Sequence, residues 1–340
     1  MKKQAYGLLA VSALLFSCAT QGAVNAPLWV RDREAAYPNG EWLCAVETAA
    51  NKSAAEAAAL AALAQSFRMD VAAVVRAGET YVSRIQQTGG TGIAASAEFR
   101  SVAREVSAVS SVSGLSGVER EYWAAPNGEV WALARMNRAE AAARYSAAIA
   151  EHEKLIALLR ETAAARSGID AWAALASAAD AAALADNWYA MRSVLRPETA
   201  GTVPAYGGEA SLRATMREAA RGVAIDLRVG GTGGVRAATA FAEVFTSRGF
   251  RTGAGSPYVL QALSALEDTD QSGGGFVYAR WNVSAVLADS AGAELFAWSD
   301  TGREGHTSRP EARERALRKT EAVISAGFAE AFDAWAASRL

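Results

Sequence analysis

The sequence predicts an α+β protein with two small antiparallel or mixed sheets, covered by helices and joined by alanine-rich helices. Three observations predict it. Short apolar or alternating runs of strand length are interleaved with long alanine-rich stretches of helical character. The order strand, helix, several strands, helix occurs once in each half of the chain. Asn127-Gly128 lies between two β-type runs, where its residues supply the positive φ angles of a tight hairpin turn. The 340 residues suggest about two domains, and the 51% hydrophobic share is ample for two cores. With a net charge of -2 and no basic block, nucleic acid and anionic lipid surfaces are poor partners.

The chain opens with Lys2 and Lys3, followed by a weakly polar to apolar run from Ala5 to Phe16. That run is too short to span a bilayer, which takes about 20 apolar residues. A charged start, a short apolar core and small residues before a cleavage point mark a secretory signal. Leu15-Phe16-Ser17-Cys18 resembles the lipobox of bacterial lipoproteins, matching it at Leu15, Ser17 and Cys18, with Phe16 standing where a small residue is usual. The resemblance implies cleavage before Cys18 and its modification by diacylglycerol and an N-acyl chain such as palmitate. The other reading is a plain signal peptide with Cys18 incidental. Ala19 offers no acidic retention signal, which favours the outer membrane over the inner. A lipidated Cys18 leaves Cys44 without a partner for a disulfide, and its apolar setting predicts a buried, inert thiol.

The segments follow in order. Residues 1–17 read as signal peptide and 18–26 as a lipidated tether. A first α+β domain is expected over 27–165. In it, Trp42 to Val46 reads as a strand, and Ser53 with Glu56 forms a capping-box pattern opening a helix that runs to Gln65. Phe67, Met69, Val71, Ala73 and Val75 alternate as a strand does, 86–95 reads as a loop, and 99–109 as a helix. Val118–Trp123 and Val130–Met136 form the hairpin. A long helix follows from Arg138, with Leu155, Ile156 and Leu159 on one face.

Residues 166–207 read as a helical connector and linker, and 208–340 as a second α+β domain. There, Val223–Val229 is a strand, and Gly230 to Gly234 forms a flexible turn into a helix that Gly249 ends. Tyr258–Leu263 is a short strand. Phe276–Leu287 and Glu294–Trp298 form a hairpin, and a helix from Pro310 to Ala337 carries the apolar stripe Leu317, Ile324, Phe328, Phe332, Trp335.

Pro27-Leu28-Trp29-Val30, Tyr37-Pro38, the strand from Trp42 to Val46, the alanine-rich helix running on to Phe67, and the aromatic hairpin from Glu119 to Met136 form one pattern. In it the first block, to about Leu159, resembles the twenty-kilodalton Lpp-type lipoprotein family of bacterial envelopes, which includes flagellar-assembly outer-membrane lipoproteins. The resemblance covers less than half of the chain. It implies an envelope lipoprotein with a structural or accessory role, and brings no catalytic residues. The second block resembles small α/β domains of periplasmic accessory lipoproteins, in which a phrase like Ser247-Arg248-Gly249-Phe250 joins a helix to the next strand.

Chemistry-bearing patterns are sparse. The two histidines, His152 and His306, form no metal-site spacing with the cysteines, so no metal is expected. Glu267-Asp268-Thr269-Asp270 lacks the spaced ligands and closing glutamate of a calcium loop, and reads as a solvated turn. The glycine run lacks the Lys-Ser/Thr ending of a nucleotide loop, no Gly-x-Ser-x-Gly elbow occurs, and acids such as Asp226 and Glu243 cannot be paired from sequence. No catalytic residue and no cofactor are therefore expected. Most of the nine tryptophans read as core. Trp188-Tyr189, on the connector, is the candidate partner-binding pair, because exposed aromatics anchor protein interfaces; packing between the domains is the other reading.

The expectation is a membrane-anchored, periplasm-facing lipoprotein that acts without catalysis by binding other proteins of an envelope assembly, flagellar or outer-membrane. The alternative is a carrier for an apolar ligand, held in a cavity lined by residues such as Phe276, Trp281 and Phe328. An envelope hydrolase comes third and requires a polar cleft with convergent acids or an activated serine.

Overall fold

The computed structural model describes residues 26–66, 117–273 and 275–340. The signal and lipobox residues and the elements expected over 67–75, 86–95 and 99–109 lie outside the described residues. The fold is α+β, in two compact units.

The first unit comprises the described residues up to Ser66 together with Gly117–Ala141. Two single-turn helices, α1 (Leu28–Arg31) and α2 (Arg33–Ala36), precede β1 (Trp42–Ala49) and α3 (Lys52–Gln65). The hairpin β2 (Glu119–Ala124) and β3 (Val130–Asn137) completes an antiparallel sheet in the order β1-β3-β2. Trp123 lies opposite Trp131, and Gly128 turns the chain at φ +86°. The helix start differs from the capping-box pattern. Asn51 caps α3, its Oδ1 accepting from the Ala54 amide at 2.9 Å, and Ser53 lies inside the helix. Asn51 is extended at φ -149°, the conformation a cap requires, so it takes the role before Ser53 is reached. Ala55, Ala59 and Leu63 pack on Ala132 and Ala134, and these small side chains let helix and sheet approach closely.

The second unit begins at Ala142. It holds α4 (Arg138–Ala164) beyond its first residues, then α5 (Gly168–Leu195), α6 (Glu209–Arg221), β4 (Ala224–Gly230), α7 (Gly234–Ser247) and β5 (Arg251–Thr252). The long strands β6 (Tyr258–Gly273), β7 (Phe276–Asp289) and β8 (Glu294–His306) follow, then α8 (Arg309–Val323), a π-helical turn (Ile324–Phe328) and α9 (Ala329–Ser338). The sheet order is β5-β4-β6-β7-β8, with β4 parallel to β5 and β6 and the remainder antiparallel. Along β7, Ala279, Trp281, Val283, Ala285 and Leu287 are buried while Arg280 and Asn282 are exposed, the alternation of a sheet covered on one face. Helix α8 packs over β7 and β8, and α7 over β4.

The structure divides the chain at Ala141/Ala142 rather than at 165/166, and 166–207 is not a separate connector. The physical reason lies in α5. Its Ile169, Trp172, Ala178, Ala181, Ala182 and Ala185 are buried in the core of the second unit. Alanine gives little sequence contrast between inner and outer faces, so a core helix reads as a neutral spacer.

The last helix departs from regular geometry for a visible purpose. Phe328 packs edge-on against Phe241 at 4.8 Å and Trp298 at 5.5 Å, and lies 5.8 Å from both Phe245 and Phe296. Ile324, Phe328 and Phe332 are spaced four apart, which in a regular α-helix drifts about 40° per step. The wider π turn takes up part of that drift, and all three are fully buried.

Two further expectations change. Strand β6 continues to Gly273 and β8 to His306, well past Leu263 and Trp298, because polar alternation sustains a strand as well as apolar runs do. Glu267–Thr269 therefore belong to a strand, not a solvated turn, and Asp268 lies 3.6 Å from both Arg309 and Arg313 of α8.

Candidate functional site

Leu15, Phe16, Ser17 and Cys18 lie outside the described residues. Among the described residues, no group of three or more His, Cys, Asp or Glu is placed to hold a metal ion. Cys44 is free and half-buried, and burial raises its thiol pKa to about 11, so it is not a poised nucleophile.

Trp188 and Tyr189 take different places. Trp188 is 5% exposed and stacks on Tyr145 at 5.6 Å, which makes it a packing residue of the second unit. Tyr189 is half-buried, and its hydroxyl donates to Glu153 at 2.6 Å. Burial and that carboxylate raise the phenol pKa to about 12. The apolar cavity considered for a ligand does not form around its three named residues: Phe328 is buried in the aromatic cluster, Trp281 is 3% exposed, and Phe276 is 44% exposed.

The glycine run is neither a phosphate loop nor a flexible turn. The Gly233 amide donates to the Ser264 carbonyl at 3.1 Å, and Thr232 Oγ1 accepts from the Leu266 amide at 2.7 Å. A Cβ on Gly231, which sits at φ +93°, would collide with the Ser264 carbonyl, and one on Gly233 would collide with Ser264 Oγ. The run thus lies directly on β6, with Gly231 held against its backbone and Gly233 against the Ser264 side chain.

Among the described residues, a cleft of about 330 Å³ opens between α5, α6, the end of α7 and α9. Ala173 and Ala176 of α5 and Ala336 and Ala337 of α9 form its apolar floor, with Trp172 and Met216 beside them. Three ion pairs, made by two arginines, border it. Arg248 grips Asp333 with both Nε and Nη2 at 2.7 Å, and also donates to the carbonyls of Val244 at 2.7 Å and Ala329 at 3.1 Å. Arg213 donates through Nε to Glu209 at 2.5 Å and through Nη2 to Asp180 at 3.4 Å. The hydrogen bond to Glu209 is the main cause raising the Arg213 pKa above its ordinary value. Each of these carboxylates is the ion-pair partner of an arginine.

The polar frame of this region is built from α5. Asp186 accepts from the Tyr206 hydroxyl at 2.6 Å and from the Glu209 amide at 2.9 Å, so a carboxylate of one helix satisfies the open N-terminus of the next. Burial and Asp186 push the Tyr206 phenol pKa far up. Sequence reading missed this cleft. Asp180, Arg213, Arg248 and Asp333 lie on four elements, and only Arg248 was noticed, as part of the phrase joining α7 to β5. The clearest available signal was α6 itself, amphipathic and bearing Arg213 and Met216 one turn apart.

No protein-family model matches the chain, and no curated protein matches it. Among solved structures it is similar to a minor lipoprotein of Acinetobacter baumannii, at 16% identity over 32% of this chain and 88% of that one, with a TM-score of 0.26. It is also similar to a secreted protein of the human pathogen Helicobacter pylori, at 12% identity over 84% of this chain and 96% of that one, with a TM-score of 0.39. At these scores neither likeness carries an argument about function, and the architecture rests on this chain's own structure.

Proposed function

We propose that this chain is a bacterial envelope lipoprotein, anchored through lipid on Cys18 and acting without catalysis as a structural or accessory component of a periplasm-facing assembly. The observation that carries the reading is the N-terminal sequence, with Lys2-Lys3, a short apolar run, and Leu15-Phe16-Ser17-Cys18. Burial of an acyl chain contributes about 0.8 kcal/mol per CH₂, and one chain alone anchors only marginally. A diacylglycerol with an additional N-acyl chain meets that requirement. Among the described residues no helix is long and apolar enough to cross a membrane, and the reading needs none. The lipoprotein and the secreted protein among the similar structures are compatible with it without carrying it.

The non-catalytic part is supported by the state of the cleft carboxylate Asp333, whose two oxygens are both held by Arg248, and by the packed glycine run. Binding of envelope proteins remains the proposed role, with Trp188 removed from the docking surface because it is buried. Growing producing cells with labelled palmitate tests the anchor. Label is expected on the wild-type chain and absent from Cys18→Ser; equal label on both would overturn the proposal.

A further inference from the structure

The cleft between α5, α6 and α9 has a polarity that its ion pairs do not exhaust. Arg248 already makes four hydrogen bonds, to Asp333 and two carbonyls, so it has little left to offer a ligand. Asp333 differs. A carboxylate has about four acceptor positions, and Arg248 uses one on each oxygen, at 2.7 Å. Across the cleft, Arg213 spends Nε on Glu209 and Nη2 on Asp180, and its Nη1 makes no hydrogen bond among the described residues. The hydroxyl of Ser177, half-buried on α5, also makes none among them. One side of the cleft therefore keeps spare donors, and the other keeps spare acceptors.

We propose that this cleft binds a small zwitterion of amino-acid to dipeptide size, with its carboxylate on Arg213 and Ser177 and its ammonium on Asp333. Charge and size both select this class. Among the described lining residues, Arg213 and Arg248 balance Asp180 and Asp333, so a ligand with a single net charge is not favoured over one carrying both signs. The cleft of about 330 Å³ lies at the small end of ligand sites, which begin at roughly 300 Å³. Its four lining alanines offer small apolar contacts that suit a methyl group, and the small volume disfavours a large side chain. Each charged hydrogen bond to the ligand is worth about 1.5–3 kcal/mol, so losing one end of the zwitterion weakens binding by about tenfold or more.

Calorimetric titration of the purified full-length chain with L-alanyl-L-alanine tests this. Saturable binding is expected, at least about tenfold weaker for the N-acetylated dipeptide and for its C-terminal amide. Arg213→Gln is expected to lose the same factor, while glycylglycine still binds and phenylalanyl-phenylalanine does not. Ala176 is half-buried and faces the cleft, so Ala176→Leu fills the space and should abolish binding while leaving the unfolding midpoint within a few degrees of wild type. The absence of saturable binding, equal affinity for the blocked dipeptides, or tighter binding of the bulky apolar dipeptide would each overturn the proposal.

Discussion

The two units build sheets of similar kind from different materials. In the first, the core is alanine on alanine: Ala55 and Ala59 of α3 meet Ala132 and Ala134 of β3, with Leu63 the large contributor. Much of its remaining organisation is polar and aromatic. Arg135 pairs with Glu119 at 2.8 Å and Glu121 at 2.7 Å, and its guanidinium lies 4.4 Å from the centre of the Tyr37 ring and 5.5 Å from that of Trp42. In the second unit the organising contact is apolar, with Phe328 among Phe241, Phe245, Phe296 and Trp298. Alanine contacts permit close approach but bury little area each, whereas one fully buried Phe side chain contributes about 1.5–3 kcal/mol. The second unit is therefore organised by large buried side chains, and the first by close alanine packing with the Arg135 clamp at its edge.

This contrast can be broken at several points, starting with the largest effect. Phe328→Ala should lose about 4 kcal/mol of stability, as deletion of a fully buried aromatic does, read as the shift of the urea midpoint at constant slope. A loss under about 1 kcal/mol would mean that the aromatic cluster is not the organising contact. Trp188→Ala should cost about 3 kcal/mol and leave binding of any envelope partner unchanged after correction for folded fraction. Retained stability with lost partner binding would restore Trp188 as a docking residue. Gly231→Ala places a Cβ against the Ser264 carbonyl at a positive φ, and about 2 kcal/mol of destabilisation is expected from strain and displacement. An unchanged midpoint would mean that the run is a loose turn after all.

The first unit should respond more mildly. Arg135→Ala removes two ion pairs with partly exposed partners and two cation–π contacts, together about 1 kcal/mol. A much larger loss would make the clamp, rather than the alanine core, the main stabiliser of that unit. Acidification reports on α4. His152 is fully buried, its Nδ1 donates to the Ala148 carbonyl at 2.8 Å, and burial lowers its pKa below the ordinary 6.5. The unfolded chain takes up a proton first, so this contribution is complete above pH 6.5 and declines as pH falls through 6.5 toward the lower folded value. His152→Gln should flatten that part of the stability profile; an unchanged slope would assign it to other groups.

The same contrast explains what could be read in advance. Strands β1 to β3 were legible because the short apolar run from Trp42 to Val46 and the turn at Asn127-Gly128 are local signals, and the stripe through Ile324, Phe328 and Phe332 was legible because spacing alone carries it. The role of α5 was not, since an alanine reads alike on a buried face and an exposed one; nor was the extension of β6 and β8, whose polar residues resemble those of loops. The cleft was least legible of all. Its charged residues are separated by up to 153 positions, from Asp180 to Asp333, and nothing local links them.

Intact mass decides whether the chain carries a lipid anchor. Protein extracted from membranes should have the mass of the chain from Cys18 plus diacylglycerol and an N-acyl chain, and Cys18→Ser should show no such species. Thiol reagents at neutral pH should leave Cys44 largely unmodified in the folded protein, because its pKa stands near 11. An unlipidated mature mass in both proteins would overturn the lipid anchor and make this a secreted protein without one.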